Sequence, residues 1–320
     1  MSGFKQRIKA HIPRHILHLY DVVKILPAYI RAVIRGRRIR LTPVKMYSDT
    51  EAVDRIVREG CSMSRYGDGE FRWMLGMPLN SYQDYSLALG QALVEAFQCE
   101  QENVLIGVPR GIYDDSGLRL LSKMYWKIFR VKYMPRVEKW MDPEKVYCNA
   151  SMTRPYIDYA AKDGCGAAFE NLKRIWQGRD VVIVEGEKTK LGMGNDLLDN
   201  AASVRRIIGP ATNAFEHLDE VCRAVRERVE KDALILGALG PAASVLAVRL
   251  AREGYQFVDV GHIDIEYVWY QKSAAFREQV EGKYVNENGS KDKRCSDIYD
   301  RDEKYLNSII AKVSGETVCG

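Results

Sequence analysis

Short apolar runs that alternate with stretches of helical spacing constrain the fold of this 320-residue chain more than any other feature. The apolar runs lie at residues 103–109, 180–186, 204–210, 232–240 and 256–261, and helical patterns lie at 84–98, 115–130, 163–177, 214–231 and 241–253. Strands that are apolar throughout are buried on both faces, which is typical of a parallel sheet covered by helices. The sequence therefore predicts an α/β fold with a mostly parallel sheet flanked by helices.

The first part of the chain, residues 1–45, is strongly basic. It contains eleven Lys and Arg residues against a single acid, Asp21, although the whole chain has a formal net charge of only +5. Apolar residues recur there at helical spacing, interrupted by Pro13 and Pro27, so we expect short amphipathic helices. Such an arm either attaches to a membrane surface or packs on the body with its basic face in water.

The last part, residues 276–320, differs from the centre in another way. It begins with the polar, turn-rich stretch EGKYVNENGSKDKRC and continues into a predicted helix near residues 297–313. Residues 46–275 therefore form the predicted α/β domain, with an appendage at each end.

Composition narrows the classes of protein to consider. The seven cysteines are scattered without CxxC or zinc-like spacing, which indicates reduced thiols in a cytoplasmic protein. The first residues lack the apolar core of a signal peptide, and the longest uncharged stretch, residues 233–248, is too short to span a membrane. Nucleic acid is not expected as a partner, because the excess positive charge is confined to residues 1–45.

Candidate site residues follow several of the predicted strands, where parallel sheets bind their ligands. The loop SRYGDGE places Arg65, Asp68 and Glu70 beside two permissive glycines. Paired acids can hold ribose or sugar hydroxyls while a guanidinium meets a phosphate. A charged surface turn would explain the same residues.

Two further loops are rich in glycine. The segment VEGEKTKLGMGNDLLDN brings Lys190, Gly194, Asn195 and Asp196 ahead of a predicted helix, and a diphosphate would suit such a loop. It matches neither the Walker loop nor the GxGxxG fingerprint. In ALGPAAS, backbone amides near Gly240 are a second candidate phosphate cradle, although close packing of a helix on the sheet accounts for the small residues equally well.

The segment GHIDIEY carries two carboxylates, Asp264 and Glu266, directly after an apolar run. If this segment is extended, both side chains lie on one side, because strand side chains alternate with period two. The pair could then share a divalent cation, or one residue could bind the metal while the other acts as general base. Chance also places Asp-x-Glu in many sequences.

Taken together, these segments resemble one known family. The resemblance rests on the order of SRYGDGEF, TRPYIDY, VVIVEG, LGMGNDLLDNA, RIIGPATNAF, ALGPAASVLA and GYQFVDVGHIDIEY across residues 50–272. This order resembles the GT-D-fold glycosyltransferases, a bacterial family first filed as a domain of unknown function. The resemblance implies a Rossmann-like domain that transfers glucose or a related sugar from a UDP-sugar in surface polysaccharide assembly or protein glycosylation. It also implies a divalent metal, Mn²⁺ or Mg²⁺, and a functional Asp-x-Glu motif.

Several residues acquire expected roles from this resemblance. The donor contacts that it implies are Arg65, Asp68, Glu70, Arg154 of TRPYIDY, Lys190, Gly194, Asn195, Asp196 and Gly240. Asp264 is the expected metal ligand and Glu266 the expected base, in a single displacement that inverts the anomeric carbon. The pair Thr189-Lys190 stands where the family pattern suggests Ser-Arg, so a bidentate grip on phosphate is lost there.

The expected acceptor is a glycan or a lipid-linked glycan, with the protein at the inner face of the plasma membrane. Two alternatives stay open at this point. One is a binding module that holds a sugar nucleotide without turnover, and the other is a metal-dependent phosphoesterase that hydrolyses nucleotide sugars.

Overall fold

A computed structural model describes residues 14–79, 82–285 and 298–313. These residues form one sheet of nine strands in the order β1-β4-β3-β2-β8-β7-β5-β6-β9, and neighbouring strands are parallel. The strands are β1 Lys45–Met46, β2 Ser62–Arg65, β3 Val104–Val108, β4 Val146–Asn149, β5 Asp180–Gly186, β6 Ser203–Gly209, β7 Leu234–Ala238, β8 Gln256–Asp259 and β9 Ile309–Lys312. The predicted α/β class with a parallel sheet is confirmed.

Helices connect these strands and cover the sheet. They are α1 Arg14–Gly36, α2 Asp49–Arg58, α3 Asp68–Met74, α4 Leu87–Phe97, α5 Leu120–Lys132, α6 Met134–Val137, α7 Cys165–Lys173, α8 Leu218–Arg228, α9 Pro241–Arg252, α10 Ile263–Gln271 and α11 Glu303–Ser308. Their ends follow from local sequence: Ser48 caps α2 in a reciprocal capping box with Glu51, and Pro241 occupies the first turn of α9, where no backbone donor is required.

The core lies on both faces of the sheet because the central strands are apolar throughout. In β5, Val182 and Val184 pack into one apolar cluster, whereas Val181 and Ile183 pack into the cluster on the opposite face. All four side chains are fully buried. Each contributes roughly 1.5 to 3 kcal/mol through burial, so these strands form a rigid base for the loops at their ends.

The basic arm differs from its prediction. Residues 14–36 form one continuous helix, α1, which runs through Pro27 instead of ending there. Pro27 lies on the exposed side, where the carbonyl that it leaves without a partner can meet water. Ala32 is buried on the other side, and Gly36 lies close to Val131 of α5. Among the described residues, no helix has both the length and the apolar content that crossing a membrane requires.

The C-terminal appendage also differs from its prediction. The predicted helix near 297–313 is only partly present, because the chain extends after Ser308 and adds β9 to the sheet beside β6. The β-branched residues Ile309 and Ile310 favour this extended form. Most of the predicted polar loop, residues 286–297, lies outside the described residues.

The order of the strands fixes the position of the site. On one side of β2 the sheet continues through β3, β4 and β1, and the connection that leaves β2 runs to that side. On the other side β8 lies directly beside β2, and the chain that leaves β8 later adds β9 at the far edge of that side. The direction of winding therefore changes between β2 and β8. A crevice opens at the carboxyl ends of strands at such a switch point, and open α/β folds bind ligands there.

Candidate active site

A cleft of about 1650 Å³ opens at this switch point. Six of the residues predicted from the sequence line it, namely Arg65, Asp68, Glu70, Arg154, Gly240 and Asp264. They come from loops after four different strands and from the start of α3 and α10. The fold thus brings together residues that are far apart in the sequence.

Arg65, the last residue of β2, lies at the floor of this cleft. Its Nε and Nη2 donate to the backbone oxygen and Oδ1 of Asp259 at 2.8 and 2.9 Å. Its Nη1 donates to Ala150 O at 3.0 Å and to Thr153 Oγ1 at 2.7 Å. Arg65 therefore joins the ends of β2 and β8 to the turn after β4, and most of its donors are used within the protein.

Asp259 ends β8 and balances the charge of Arg65. Its side chain is 5% exposed, and its Oδ1 also accepts from the backbone N–H of Gly261 at 3.0 Å. Burial raises the pKa of this carboxyl, while the adjacent guanidinium works in the opposite direction. Gly261 has φ +49°, and a Cβ there would lie 1.8 Å from Arg65 Nη2, so only glycine fits beside the ion pair.

Glu70 and Asp68 lie in the first turn of α3, on the wall beside this ion pair. Glu70 Oε2 accepts from the N–H of Gly67 at 2.8 Å, and Tyr125 donates its hydroxyl to Asp68 Oδ2 at 2.5 Å. Burial raises the pKa of Glu70 to about 7, and the carboxylates of Asp68 and Asp259 act in the same direction. Glu70 is therefore a cleft-lining carboxyl that can gain or lose a proton near neutral pH.

The two carboxylates of GHIDIEY lie in the first turn of α10, which begins at Ile263. The extended geometry considered for this segment is wrong. Successive helical residues rotate by about 100°, so residues two apart point to different sides. Asp264 faces the cleft, whereas Glu266 is fully buried behind the cleft wall.

Asp264 is held by three donors. Its Oδ1 accepts from the N–H of Gly192 at 3.0 Å and from Asn195 Nδ2 at 2.7 Å. Its Oδ2 accepts from Lys283 Nζ at 2.5 Å, and both side chains of this ion pair are almost completely buried. Asn195 thus orients a cleft-lining carboxylate and does not itself line the cleft.

Glu266 holds the segment that follows β4. Its Oε2 accepts from the N–H groups of Tyr156 and Ile157 at 3.3 and 2.9 Å. Its Oε1 lies 3.3 Å from Arg154 Nε, and the Arg154 side chain is 24% exposed at the cleft. The carboxylate therefore fixes the position of a guanidinium that a ligand in the cleft can reach.

The glycine-rich loop after β5 lies differently from what the sequence suggested. Gly186 and Thr189 line the cleft, but the predicted contacts Lys190, Gly194 and Asp196 do not. The ammonium of Lys190 pairs with Asp300 Oδ1 at 2.5 Å, beneath the C-terminal appendage. A described part of that appendage thus covers the outer side of the loop.

The remaining two predicted residues of this loop have partners outside the cleft. Asp196 Oδ1 accepts from Tyr267 Oη at 2.9 Å and from Gln271 Nε2 at 2.7 Å, which fastens the loop to α10. Gly194 has φ +70°, and a Cβ there would overlap the hydroxyl of Tyr299.

Gly240 combines the two roles that the sequence left open. It lines the cleft with φ +57°, and a Cβ there would lie 2.3 Å from the ring of Tyr82. The next residues of α9, Ala242 and Ala243, are fully buried against the sheet. Close packing and access to the cleft therefore both depend on small residues here.

Sequence reasoning missed the structural roles of three charged residues around the site. Asp259 ends an apolar run, so its position at the carboxyl end of a strand was a usable signal. Glu185 is fully buried, where it accepts from Leu191 N–H at 2.7 Å and from Arg206 Nη1 at 2.6 Å. Lys283 lies in the polar stretch near the C terminus, and no pattern there marks it as a partner of Asp264.

The fit of a divalent metal depends on Asp264. Among the described residues, no group of three or more His, Cys, Asp or Glu side chains is placed to hold a metal ion. Mg²⁺ and Mn²⁺ nevertheless bind in many enzymes through one or two carboxylates together with substrate phosphates. Asp264 lines the cleft, but both of its oxygens already accept hydrogen bonds, so a cation that is shared with a diphosphate would have to take the place of the Lys283 ammonium at Oδ2.

The family model described as "Glycosyltransferase GT-D fold" matches residues 63–288, which include all six predicted residues that line the cleft, from Arg65 to Asp264. This chain belongs to the GT-D glycosyltransferase family.

Two curated relatives carry glycosyltransferase names. The GT-D chain is 35% identical over 265 residues to "Glycosyltransferase GlyD" of Streptococcus pneumoniae serotype 4, a match that covers 82% of this chain and 32% of the relative. It is 33% identical over 276 residues to "Probable glycosyl transferase Gly" of Streptococcus gordonii, which covers 85% of this chain and 39% of that protein. The GT-D chain thus spans about a third of the length of these relatives.

Solved structures share the fold. A structure described as "The highly conserved domain of unknown function 1792 has a distinct glycosyltransferase fold" superposes with a TM-score of 0.76 at 30% identity, over 91% of this chain and 100% of the other. "A New Glycosyltransferase (DUF1792) from Streptococcus sanguinis" has the same TM-score at 32% identity, over 85% of this chain and 100% of the other.

Proposed function

We propose that this GT-D chain transfers glucose or a related sugar from a UDP-sugar to a hydroxyl group of a glycan or glycoconjugate acceptor. The observation that carries the proposal is the convergence of Arg154, Glu70 and Asp264 on one cleft at the switch point of the sheet. Family membership supports the reaction class. The setting that we propose is bacterial surface polysaccharide assembly or protein glycosylation.

In this proposal the donor diphosphate lies between Asp264 and Arg154. Arg154 faces the cleft and offers fixed positive charge, which stabilises a departing diphosphate. A divalent cation, Mn²⁺ or Mg²⁺, would be held by Asp264 and by oxygens of the donor, where it would neutralise the charge that develops on the diphosphate. The other donor contacts proposed are Asp68, Gly240 and the backbone near Thr189, all of which line the cleft.

The four predicted donor residues outside the cleft have an indirect role in this proposal. Lys190, Gly194, Asn195 and Asp196 shape the loop that carries Thr189 and that holds Asp264 in place. Arg65 acts in the same way at the floor of the cleft, because it fixes the ends of β2 and β8.

The proton acceptor proposed is Glu70. The acceptor oxygen bonds to the anomeric carbon while the bond from that carbon to the diphosphate oxygen breaks, and the hydroxyl proton passes to a carboxylate. A general base works best when its pKa lies near the working pH, and the pKa of Glu70 is about 7. Glu70 also lines the cleft, where an acceptor can reach it.

Glu266 was the base expected from the family resemblance. Its burial and its three partners support a positioning role through Arg154 and the segment 154–157. Glu70 as base and Glu266 as base predict different pH dependences of the transfer rate in the Glu70→Gln and Glu266→Gln variants, so the two assignments can be separated. Either base would give a single displacement, which inverts the configuration at the anomeric carbon.

A transfer assay with a panel of UDP-sugars and Mn²⁺ tests this function. We expect sugar transfer by the wild type and a loss on the order of a hundredfold or more in Asp264→Asn, because the ligand for the cation is removed. Asp232→Asn, an exposed change of the same kind, is the matched control and should retain full activity. Full activity in Asp264→Asn would contradict the proposal.

The products of the same assay separate the alternatives. Binding of UDP without any turnover would favour a sugar-nucleotide-binding module. Donor hydrolysis that no glycan acceptor changes would favour a phosphoesterase. The proposed location is the cytoplasmic side of the plasma membrane, as a peripheral protein.

A further inference from the structure

Helix α1 exposes a continuous row of large apolar side chains. These residues are Ile16, Leu19, Tyr20, Val23, Leu26, Ile30 and Ile34, and Leu19 and Ile34 are each 62% exposed. At about 100° per residue they fall within an arc of roughly 120° on one side of the helix. Among the described residues, more than half of the large exposed apolar side chains belong to this single helix.

The opposite side of α1 is already covered. Ala32 is buried, and Gly36 lies close to Val131 and Lys127 of α5. Apart from Tyr20, which also lines the cleft, the apolar row therefore points away from the body of the protein while the helix is held in place from behind. A row of this length and continuity marks a surface that binds something apolar.

Basic residues border the row. Arg31 and Arg35 lie along one edge of it, and Arg37, Arg38 and Arg40 follow the end of the helix. All five side chains are exposed, and none of them forms an ion pair with another described residue. An apolar face with a basic margin is complementary to an anionic lipid surface, where the apolar side chains enter the acyl boundary and the guanidinium groups meet phosphates.

Another side of the same helix forms one wall of the cleft. His18, Asp21, Lys24 and Ala28 of α1 line the cleft that also contains Asp264 and Glu70. A surface bound to the exposed row of α1 would therefore be separated from the candidate active site by this one helix.

We propose that the exposed face of α1 docks on an anionic lipid bilayer and brings the cleft close to acceptors that are anchored in that bilayer. The docking surface stands on the geometry and charge of α1 alone. The part that concerns acceptors rests on the proposed glycosyl transfer. A helix in this position lies in the plane of the membrane surface, with one side in lipid and the other against α5.

Vesicle co-sedimentation of the full chain tests the docking surface. We expect binding to vesicles of phosphatidylcholine with phosphatidylglycerol and much weaker binding to phosphatidylcholine alone. Two separate variants should each weaken binding on the order of a hundredfold: Leu19→Glu/Val23→Glu/Ile30→Glu, and Arg31→Glu/Arg35→Glu/Arg38→Glu. The controls are Leu87→Glu, at an equally exposed leucine, and Arg223→Glu/Arg228→Glu/Arg252→Glu on α8 and α9, which should bind as the wild type does.

Three results would overturn the docking surface. The first is that the wild type does not bind anionic vesicles. The second is that both α1 variants bind these vesicles as well as the wild type does. The third is that the control variants lose as much vesicle binding as the α1 variants. Light scattering in the absence of lipid adds a fourth: a wild type that self-associates through α1 and becomes monomeric in the apolar variant would assign the row to a second copy of the chain.

The acceptor part is tested with one acceptor in two forms, free in solution and linked to a lipid in the vesicle. Both α1 variants should keep transfer to the free acceptor, because the substituted residues do not line the cleft. They should lose transfer to the lipid-linked form. Equal transfer by the α1 variants to the free and the lipid-linked acceptor would overturn the part of the proposal that concerns acceptors. If the wild type binds vesicles but transfers sugar to neither acceptor, the proposed function is refuted and the docking surface still stands.

Discussion

The carboxylates that line the cleft differ from those that lie behind its wall. Glu70 and Asp264 line the cleft, and the side chains of Asn195 and Lys283 hold Asp264 in place. Glu185 and Glu266 are fully buried and accept from backbone N–H groups. The difference is one of position: in our proposal the first pair takes part in the chemistry, whereas the second pair fixes the loops that carry the cleft residues.

The largest effect that this comparison predicts is on catalysis. Glu70→Gln keeps an oxygen that can accept from Gly67 N–H but removes the proton acceptor, so the transfer rate should fall by about 10² to 10⁴-fold. Steady-state kinetics with saturating donor measure this fall. A rate within about threefold of the wild type would place the base elsewhere.

The second effect is on stability. Glu266→Ala leaves the N–H groups of Tyr156 and Ile157 buried without this acceptor and removes one partner of Arg154, so the free energy of unfolding should fall by about 3 kcal/mol. Urea denaturation measures the change. Glu230→Ala is the control, because the exposed pair of Glu230 with Arg205 should contribute less than about 1 kcal/mol. Equal losses in the two variants would remove the distinction between the two sets of carboxylates.

The smallest effect is a pH dependence of stability. The pKa of Glu70 is raised from 4.5 to about 7, so between these values the folded chain keeps a proton that the unfolded chain releases. The contribution of protonated Glu70 to the stability of the folded chain is therefore fully present below pH 4.5 and is lost as the pH rises to 7.

Denaturation curves over this range measure the effect. Glu70→Gln cannot titrate, so its stability relative to the wild type should increase through the window and level off above it. Because Glu70 is partly exposed to the cleft, the increase should be on the order of 1 to 2 kcal/mol. A difference that does not change with pH would show that the carboxyl has an ordinary pKa.

The sheet and the general position of the site could be predicted from the sequence, because apolar runs such as DVVIVEG are buried on both sides and ligands bind at the carboxyl ends of parallel strands. The strands β1 and β9 could not be predicted. They have two and four residues, and β9 forms only because β6 offers a free edge.

The start of α10 shows why the finer geometry was missed. IDIEY alternates apolar and charged residues and so has the period of a strand, yet it is helical. The preceding turn at Gly261 is set by the space that Arg65 takes, and Arg65 is 196 positions earlier in the chain. Contacts of this kind, like the pairing of Lys283 with Asp264, depend on the folded structure and leave no local pattern.

The most direct test measures how the transfer rates of Glu70→Gln and Glu266→Gln depend on pH. It shows whether the cleft-lining carboxylates perform the chemistry while the buried carboxylates hold the loops. The wild type should lose activity as the pH falls below about 7, where Glu70 takes up its proton. We predict that Glu266→Gln keeps this acidic limb, at a reduced rate, and that Glu70→Gln lacks it. An acidic limb that persists in Glu70→Gln and disappears in Glu266→Gln would contradict the assignment and make Glu266 the base.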